Sequence, residues 1–155
     1  MRKSAGILLY RRRNKQYELF LVHPGGPFWK NKDMGAWSIP KGEFEEGEEP
    51  LKAAQREFEE ETGQRVDGEF IELRPSKQKS GKMIYCWALE ADLDESAIVS
   101  NTFPLEWPPK SKKFIDVPEV DRAGWFGFEE AKLKIIPGQV GMVEELEGRI
   151  GRRET

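Results

Sequence analysis

Residues 42–64 read GEFEEGEEPLKAAQREFEEETGQ. The second half carries Glu57, Glu60 and Glu61 at spacings i, i+3 and i+4, which sets three carboxylates on one face of a helix. Like charges gathered there repel. A divalent cation removes that penalty, and hard ions such as Mg²⁺ and Mn²⁺ prefer carboxylate oxygens. The helix is well signalled. Pro50 suits the first turn, where its missing N–H is not needed. Glu48 and Glu49 lie at the positive end of the dipole. Leu51, Ala54 and Phe58 form an apolar stripe, and Gly63 suits the left-handed residue that ends a helix. At 3.6 residues per turn the stripe and the carboxylate face are neighbours, with Lys52, Gln55 and Glu59 on the solvent side. Ser38-Ile39-Pro40-Lys41-Gly42 reads as a strand end turning sharply into an acidic loop flanked by Gly42 and Gly47.

Gly42, Glu48, Arg56, Glu57, Glu60, Glu61 and Gly63 meet the pattern G-x5-E-x7-R-E-U-x-E-E-x-G-U, with U aliphatic. In this the chain resembles the Nudix hydrolase family. Phe58 stands where an aliphatic is usual and Gln64 replaces the final one; both are packing positions. A Glu-rich helix alone would read as a solvated face, but the two glycines, Arg56 and Glu48 in register set this one apart. The resemblance implies an α/β fold, a Nudix-type α/β/α sandwich with a mixed β-sheet between helices. It implies metal-dependent hydrolysis of a pyrophosphate bond in a nucleoside diphosphate-linked substrate, with Mg²⁺ or Mn²⁺ as cofactor. Carried over by position, Glu57, Glu60 and Glu61 are metal ligands, Glu57 is a candidate base and the Lys41 carbonyl is a backbone ligand. Glu48 and Arg56 orient the loop and the carboxylates as an ion pair. The family often adds an acid near the last strand; Glu119 is the first choice here, ahead of Asp116 and Asp121. Trp37, the Pro40-Lys41-Gly42 turn and the Lys82 to Trp87 segment are similar to the diadenosine polyphosphate hydrolase branch. A dinucleoside polyphosphate or an NTP is the favoured substrate, with ADP-ribose and other nucleotide conjugates open. The alternative is a non-catalytic Nudix domain that binds or senses a nucleotide or ADP-ribose; retention of all three box glutamates favours an enzyme.

The 155 residues read as one domain, 1–155, long enough for a core. With 34% charged and 37% hydrophobic residues and a net charge of −3, nothing draws the whole molecule to nucleic acid or an anionic membrane. No apolar run is long enough to span a membrane and no signal peptide pattern is present, so a cytoplasmic protein is expected. The single Cys86 excludes an internal disulfide; beside Ile84, Tyr85 and Trp87 it reads as a buried strand thiol.

Outside the box, residues 4–10 and 17–22 predict a hairpin joined by a basic turn. Residues 23–35 form a loop with Gly25-Gly26 and the Phe28-Trp29 pair. Its aromatics either stack on a ligand or anchor the loop. His23, the sole histidine, is expected to be structural. Trp37 is expected beside the active site. Residues 70–73 begin a strand and residues 83–89 form another, with Lys77, Lys79 and Lys82 around a turn. These lysines bind phosphate or solubilise the turn. Residues 100–118, with four prolines, read as a long irregular lid. There Trp107 lies near Lys110, Lys112 and Lys113, either as a base-and-phosphate site or as a basic loop with its indole tucked in. A strand at 120–126 and helices from Phe128 and Gln139 close the chain. The substrate-binding set is thus Trp29, Trp37, Lys82, Tyr85 and Trp107.

Overall fold

The computed structural model describes residues 2–151. Strands β1 (Lys3–Arg13) and β2 (Gln16–Pro24) form the expected hairpin. Asn14 and Lys15, with φ of 51° and 66°, make the two-residue left-handed turn whose twist matches a tight hairpin. The strands pair from Arg13↔Gln16 to Tyr10↔Leu19 and then part. The segment leading into the box fills the gap. Ser38 bridges Val22 of β2, and β3 (Lys41–Glu43) pairs with Ser4 to Gly6 of β1. The start of the box is therefore wedged into the middle of the sheet.

Short strands β4 (Ile71–Glu72) and β5 (Ser76–Lys77) both lie antiparallel to β6 (Met83–Glu90). Strand β6 runs parallel to β1 over eight residue pairs. Residues 100–118 are not an irregular lid. They form β7 (Thr102–Glu106) and β8 (Phe114–Pro118), an antiparallel ribbon apart from the main sheet. Phe103 and Leu105 pair with Val117 and Ile115, a good cross-strand combination. Both strands of the ribbon are edges, so Pro104 and Pro118 are tolerated. Strand β9 (Val120–Phe126) closes the sheet antiparallel to β2, giving the order β4-β6-β1-β2-β9.

Alternation along β1 builds two cores. Ala5, Ile7 and Leu9 join Phe20 beneath Ala53, Ala54 and Phe58 of α1 (Pro50–Thr62). Leu8 and Tyr10, with Ile84 and Cys86, meet α2 (Phe128–Lys134) and α3 (Val140–Ile150) on the other face. This is the α/β/α sandwich with a mixed sheet. In α1 it is Ala53, not Leu51, that joins Ala54 and Phe58 in the buried stripe, so two small side chains bring the helix close to the sheet. Gly63 ends the helix at φ 76°, its N–H donating to the Glu59 carbonyl at 2.7 Å. Cys86 is buried and burial pushes its thiol up, as expected of a packed thiol, not a nucleophile. No described helix is long and apolar enough to cross a membrane.

Candidate active site

Helix α1 presents Glu57, Glu60 and Glu61 towards the β3 turn, and Glu119 arrives from the β8–β9 junction. Arg56 ties the box together. Its Nε and Nη2 donate to both oxygens of Glu48, at 2.9 and 3.1 Å. Its Nη1 donates to Glu57 at 2.9 Å and Glu60 at 3.2 Å. The bidentate pair pins the acidic loop to the helix; the hydrogen bond to Glu48 is also the main reason the guanidinium is held above its ordinary range.

Glu57 is 8% exposed, and its carboxylate lies against Gly42. A Cβ at that glycine would sit 2.0 Å from Oε2. Burial first, then the neighbouring Glu60, pushes the Glu57 carboxyl up, with Arg56 opposing. Glu61 accepts the Lys41 backbone N–H at 3.3 Å. Burial, Glu119 and Glu57 push its carboxyl up to about 8, while Lys41 opposes. Glu119 is raised by burial and by Glu60. Its backbone is fixed at both ends: its N–H donates to the Asn101 carbonyl at 2.9 Å and its carbonyl accepts from Gly25 at 3.0 Å.

Glu119 therefore shares an electrostatic environment with all three box glutamates. Glu57, Glu61 and Glu119, each raised by burial, stand with Glu60 as an oxygen-rich acidic group, the donor chemistry that suits a hard divalent cation. Among the described residues no three Asp, Glu, His or Cys side chains are placed so that together they could hold a metal ion.

A cleft of about 190 Å³ opens beside these groups, walled by Trp29, Ser38, Ile39, Lys41, Glu61 and Glu119. Burial and then Lys82 hold the Lys41 ammonium below its ordinary value. Lys82 is 17% exposed and 3.9 Å from Glu43, whose carboxylate is already engaged by Arg2 at 2.8 Å. The Lys41 ammonium thus borders the acidic cluster, with Lys82 close behind it beside Glu43. Tyr85 lies on the far side of the box loop, edge-on to Phe44, in a separate depression with Glu48. Trp37 requires a correction. It is 5% exposed, packs edge-on to His23 and Phe126 and gives its indole N–H to Asp33 at 2.8 Å. It is a core residue, because Ser38 pairs with β2 and turns the preceding side chain towards α2. Trp107 sits where the β7–β8 ribbon turns, away from the box helix. His23 is structural, held between Asp121 at 3.0 Å and the Lys32 carbonyl at 2.6 Å.

Two residues of the site had no sequence signal. Asn101 accepts the Glu119 N–H through its carbonyl and gives its own N–H to the Glu60 carbonyl at 3.0 Å. With its amide nitrogen turned inward, its side chain donates to Glu119 Oε2 at 3.3 Å and to the Glu60 carbonyl at 3.1 Å. Gln139 is buried; it accepts the Ile39 N–H at 3.0 Å and donates to Ser38 Oγ at 3.0 Å. Both act between segments far apart in the chain.

The model of the NUDIX domain matches residues 1–146. The chain belongs to the NUDIX family. This NUDIX domain is 35% identical over 66 residues to an RNA pyrophosphohydrolase of Erythrobacter litoralis (strain HTCC2594). That match spans 43% of this chain and 36% of the relative's length. An Ap4A hydrolase of C. elegans, solved as a binary complex, superposes with a TM-score of 0.64 at 19% identity, covering 97% of this chain and 98% of the other. The NUDIX domain of Shewanella oneidensis NrtR, solved with ADP ribose, gives 0.64 at 16% identity over 96% and 87%. At such identities the structural likeness is one of fold.

Glu61 gives this NUDIX domain a pH signature in the absence of metal. Its folded carboxyl titrates near 8 against an ordinary 4.5. Between those values the folded state holds a proton that the unfolded state has lost, so stability falls as pH rises. The urea midpoint is expected to decline from pH 5 to pH 8, and Glu61→Gln to flatten that decline. Added Mg²⁺ or Mn²⁺ at pH 8 is expected to restore the wild-type midpoint and to act less on the variant. A midpoint that rises over this range would contradict the buried, raised carboxyl.

Proposed function

We propose that this chain is a single-domain, cytoplasmic pyrophosphohydrolase that uses Mg²⁺ or Mn²⁺ to cleave a nucleoside diphosphate-linked substrate by water attack on phosphorus. A dinucleoside polyphosphate or an NTP is the favoured substrate. The observation that carries the reading is the grouping of Glu57, Glu60, Glu61 and Glu119, three of them raised by burial and by one another's charge, with Glu61 and Glu119 on the cleft wall. Such a set repels a polyphosphate unless cations intervene. Glu57, Glu60, Glu61, Glu119 and the Lys41 carbonyl would hold the ion. When bound, the ion neutralises phosphate oxygens and lowers the pKa of an attacking water.

The chain's own groups do the rest. Arg56, braced on Glu48, keeps Glu57 and Glu60 aligned and leaves little side-chain freedom to be lost on binding. Glu57 is the base: its raised carboxyl accepts a proton near neutral pH more readily than an ordinary glutamate. The Lys41 and Lys82 ammonium groups receive phosphate oxygens beyond the reacting bond. Trp29, on the cleft wall, offers a stacking surface to a base. Tyr85, with Phe44, supports the box loop from beneath and adds a second aromatic surface.

A panel of dinucleoside polyphosphates, NTPs, ADP-ribose and capped RNA, followed by chromatography of the products with Mg²⁺, tests the reading. Metal-dependent release of an NMP or of ATP from one class fixes the substrate and the bond broken. Tight nucleotide or ADP-ribose binding without turnover in Mg²⁺ and in Mn²⁺ would replace the enzyme with the sensor reading.

A further inference from the structure

The β7–β8 ribbon takes no part in the chemistry above, yet its turn gathers three lysines beside a partly exposed indole. Lys110, Lys112 and Lys113 fall within four residues of a chain whose net charge is −3. The turn is held in one shape: Trp107 donates its N–H to the Lys113 carbonyl at 2.9 Å. The Glu106 carboxylate accepts the Lys110 and Lys112 backbone N–H groups at 3.2 and 3.0 Å. The Glu106 carboxylate is thus engaged by backbone, and among the described residues no ion pair neutralises the three ammonium groups.

The ribbon's inner face alternates Phe103, Leu105 and Trp107 along β7 and its continuation, opposite Val117 and Ile115. The first part of this face is packed. A methyl built on Gly26 would lie 3.8 Å from both Leu105 and Val117, and Gly26 belongs to the loop that carries Trp29. Beyond that contact the same face stays bare, with Ile115 41% and Trp107 37% exposed. At about 3.4 Å per residue, the five paired residues carry Trp107 roughly 17 Å from the base of the ribbon, where Glu119 begins.

We propose that the ribbon's turn is a second nucleotide subsite, which receives the nucleoside phosphate on the far side of the reacting pyrophosphate. Its base stacks on Trp107 and its phosphates meet Lys110, Lys112 and Lys113. The inference rests on the pyrophosphohydrolase reading and narrows it: the substrate has a nucleotide at each end of its polyphosphate. Two sources share that chemistry, a dinucleoside polyphosphate and the 5′-polyphosphate end of an oligonucleotide.

The test compares kcat/KM for ATP, diadenosine tetraphosphate and a 5′-triphosphorylated oligonucleotide. The proteins are the wild type, Lys110→Ser/Lys112→Ser/Lys113→Ser, Trp107→Ala and Trp107→Phe, each checked for its thermal midpoint. The triple variant is expected to lose about tenfold more on one or both two-ended substrates than on ATP. Trp107→Ala is expected to follow it and Trp107→Phe to recover most of the loss. The substrate that suffers identifies the source. Equal losses on all three substrates, or none, would overturn the proposal while leaving the pyrophosphohydrolase standing. If the wild type turned over nothing, that reading would fail instead. A binding titration of diadenosine tetraphosphate to wild type and triple variant would then judge the ribbon alone, equal affinities overturning it.

Discussion

Glu60→Gln is expected to lower kcat by about a hundred- to a thousandfold at saturating Mg²⁺, the loss typical of removing one preorganised electrostatic group from an active site. The thermal midpoint should hardly move. The Glu60 side chain is 40% exposed and its ion pair with Arg56 lies at the surface, worth less than about 1 kcal/mol. Arg56 keeps its contacts with Glu48 and Glu57 in the variant, and the amide fills the same volume. The change thus removes a charge from the carboxylate edge without removing a support. Steady-state kinetics across a Mg²⁺ titration, with the midpoint measured alongside, separates the two effects. Turnover within a few-fold of wild type would show that the proposed metal-binding edge is wrong.

Gly42→Ala attacks the same centre from the opposite side. Its new Cβ would lie 2.0 Å from Glu57 Oε2 and 2.5 Å from Oε1. Glu57 is buried and clasped by Arg56, so it cannot swing clear without breaking that contact. Overpacking of this kind costs about 1–3 kcal/mol, and displacing a reacting group by an ångström costs on the order of a hundredfold in rate. A control is Gly127→Ala, where a Cβ meets nothing within 4 Å; it is expected to leave the rate nearly unchanged and to lower the midpoint only slightly, since Gly127 is the N-cap of α2. A Gly42→Ala protein as active and as stable as the control would mean that the Glu57 carboxylate does not rest against Gly42.

The helix and its chemistry were legible because they are local. Pro50, the Glu57/Glu60/Glu61 spacing and Gly63 act within a few turns of one helix, and Arg56 reaches Glu48 across one short loop. Glu119 was reachable only as a choice among nearby acids. Its place near the box glutamates rests on backbone bonds to Asn101 and Gly25 that no local pattern encodes. Trp37 shows the opposite failure. Its place before the Pro40-Lys41-Gly42 turn suggested a ligand wall, but the bridge between Ser38 and Val22 buries it towards α2.

The proline-rich stretch misled for a related reason. Prolines disqualify a central strand but not an isolated two-stranded ribbon, and only the pairing partner distinguishes the two. By itself, then, the sequence determined the box helix, its one-faced carboxylates and the Glu48–Arg56 clasp, since helical geometry maps spacing directly onto a face. The tertiary structure decided which distant acid, lysines and aromatics meet that face. Those meetings depend on sheet register and on segments parted by tens of residues, whose closure no nearest-neighbour pattern records.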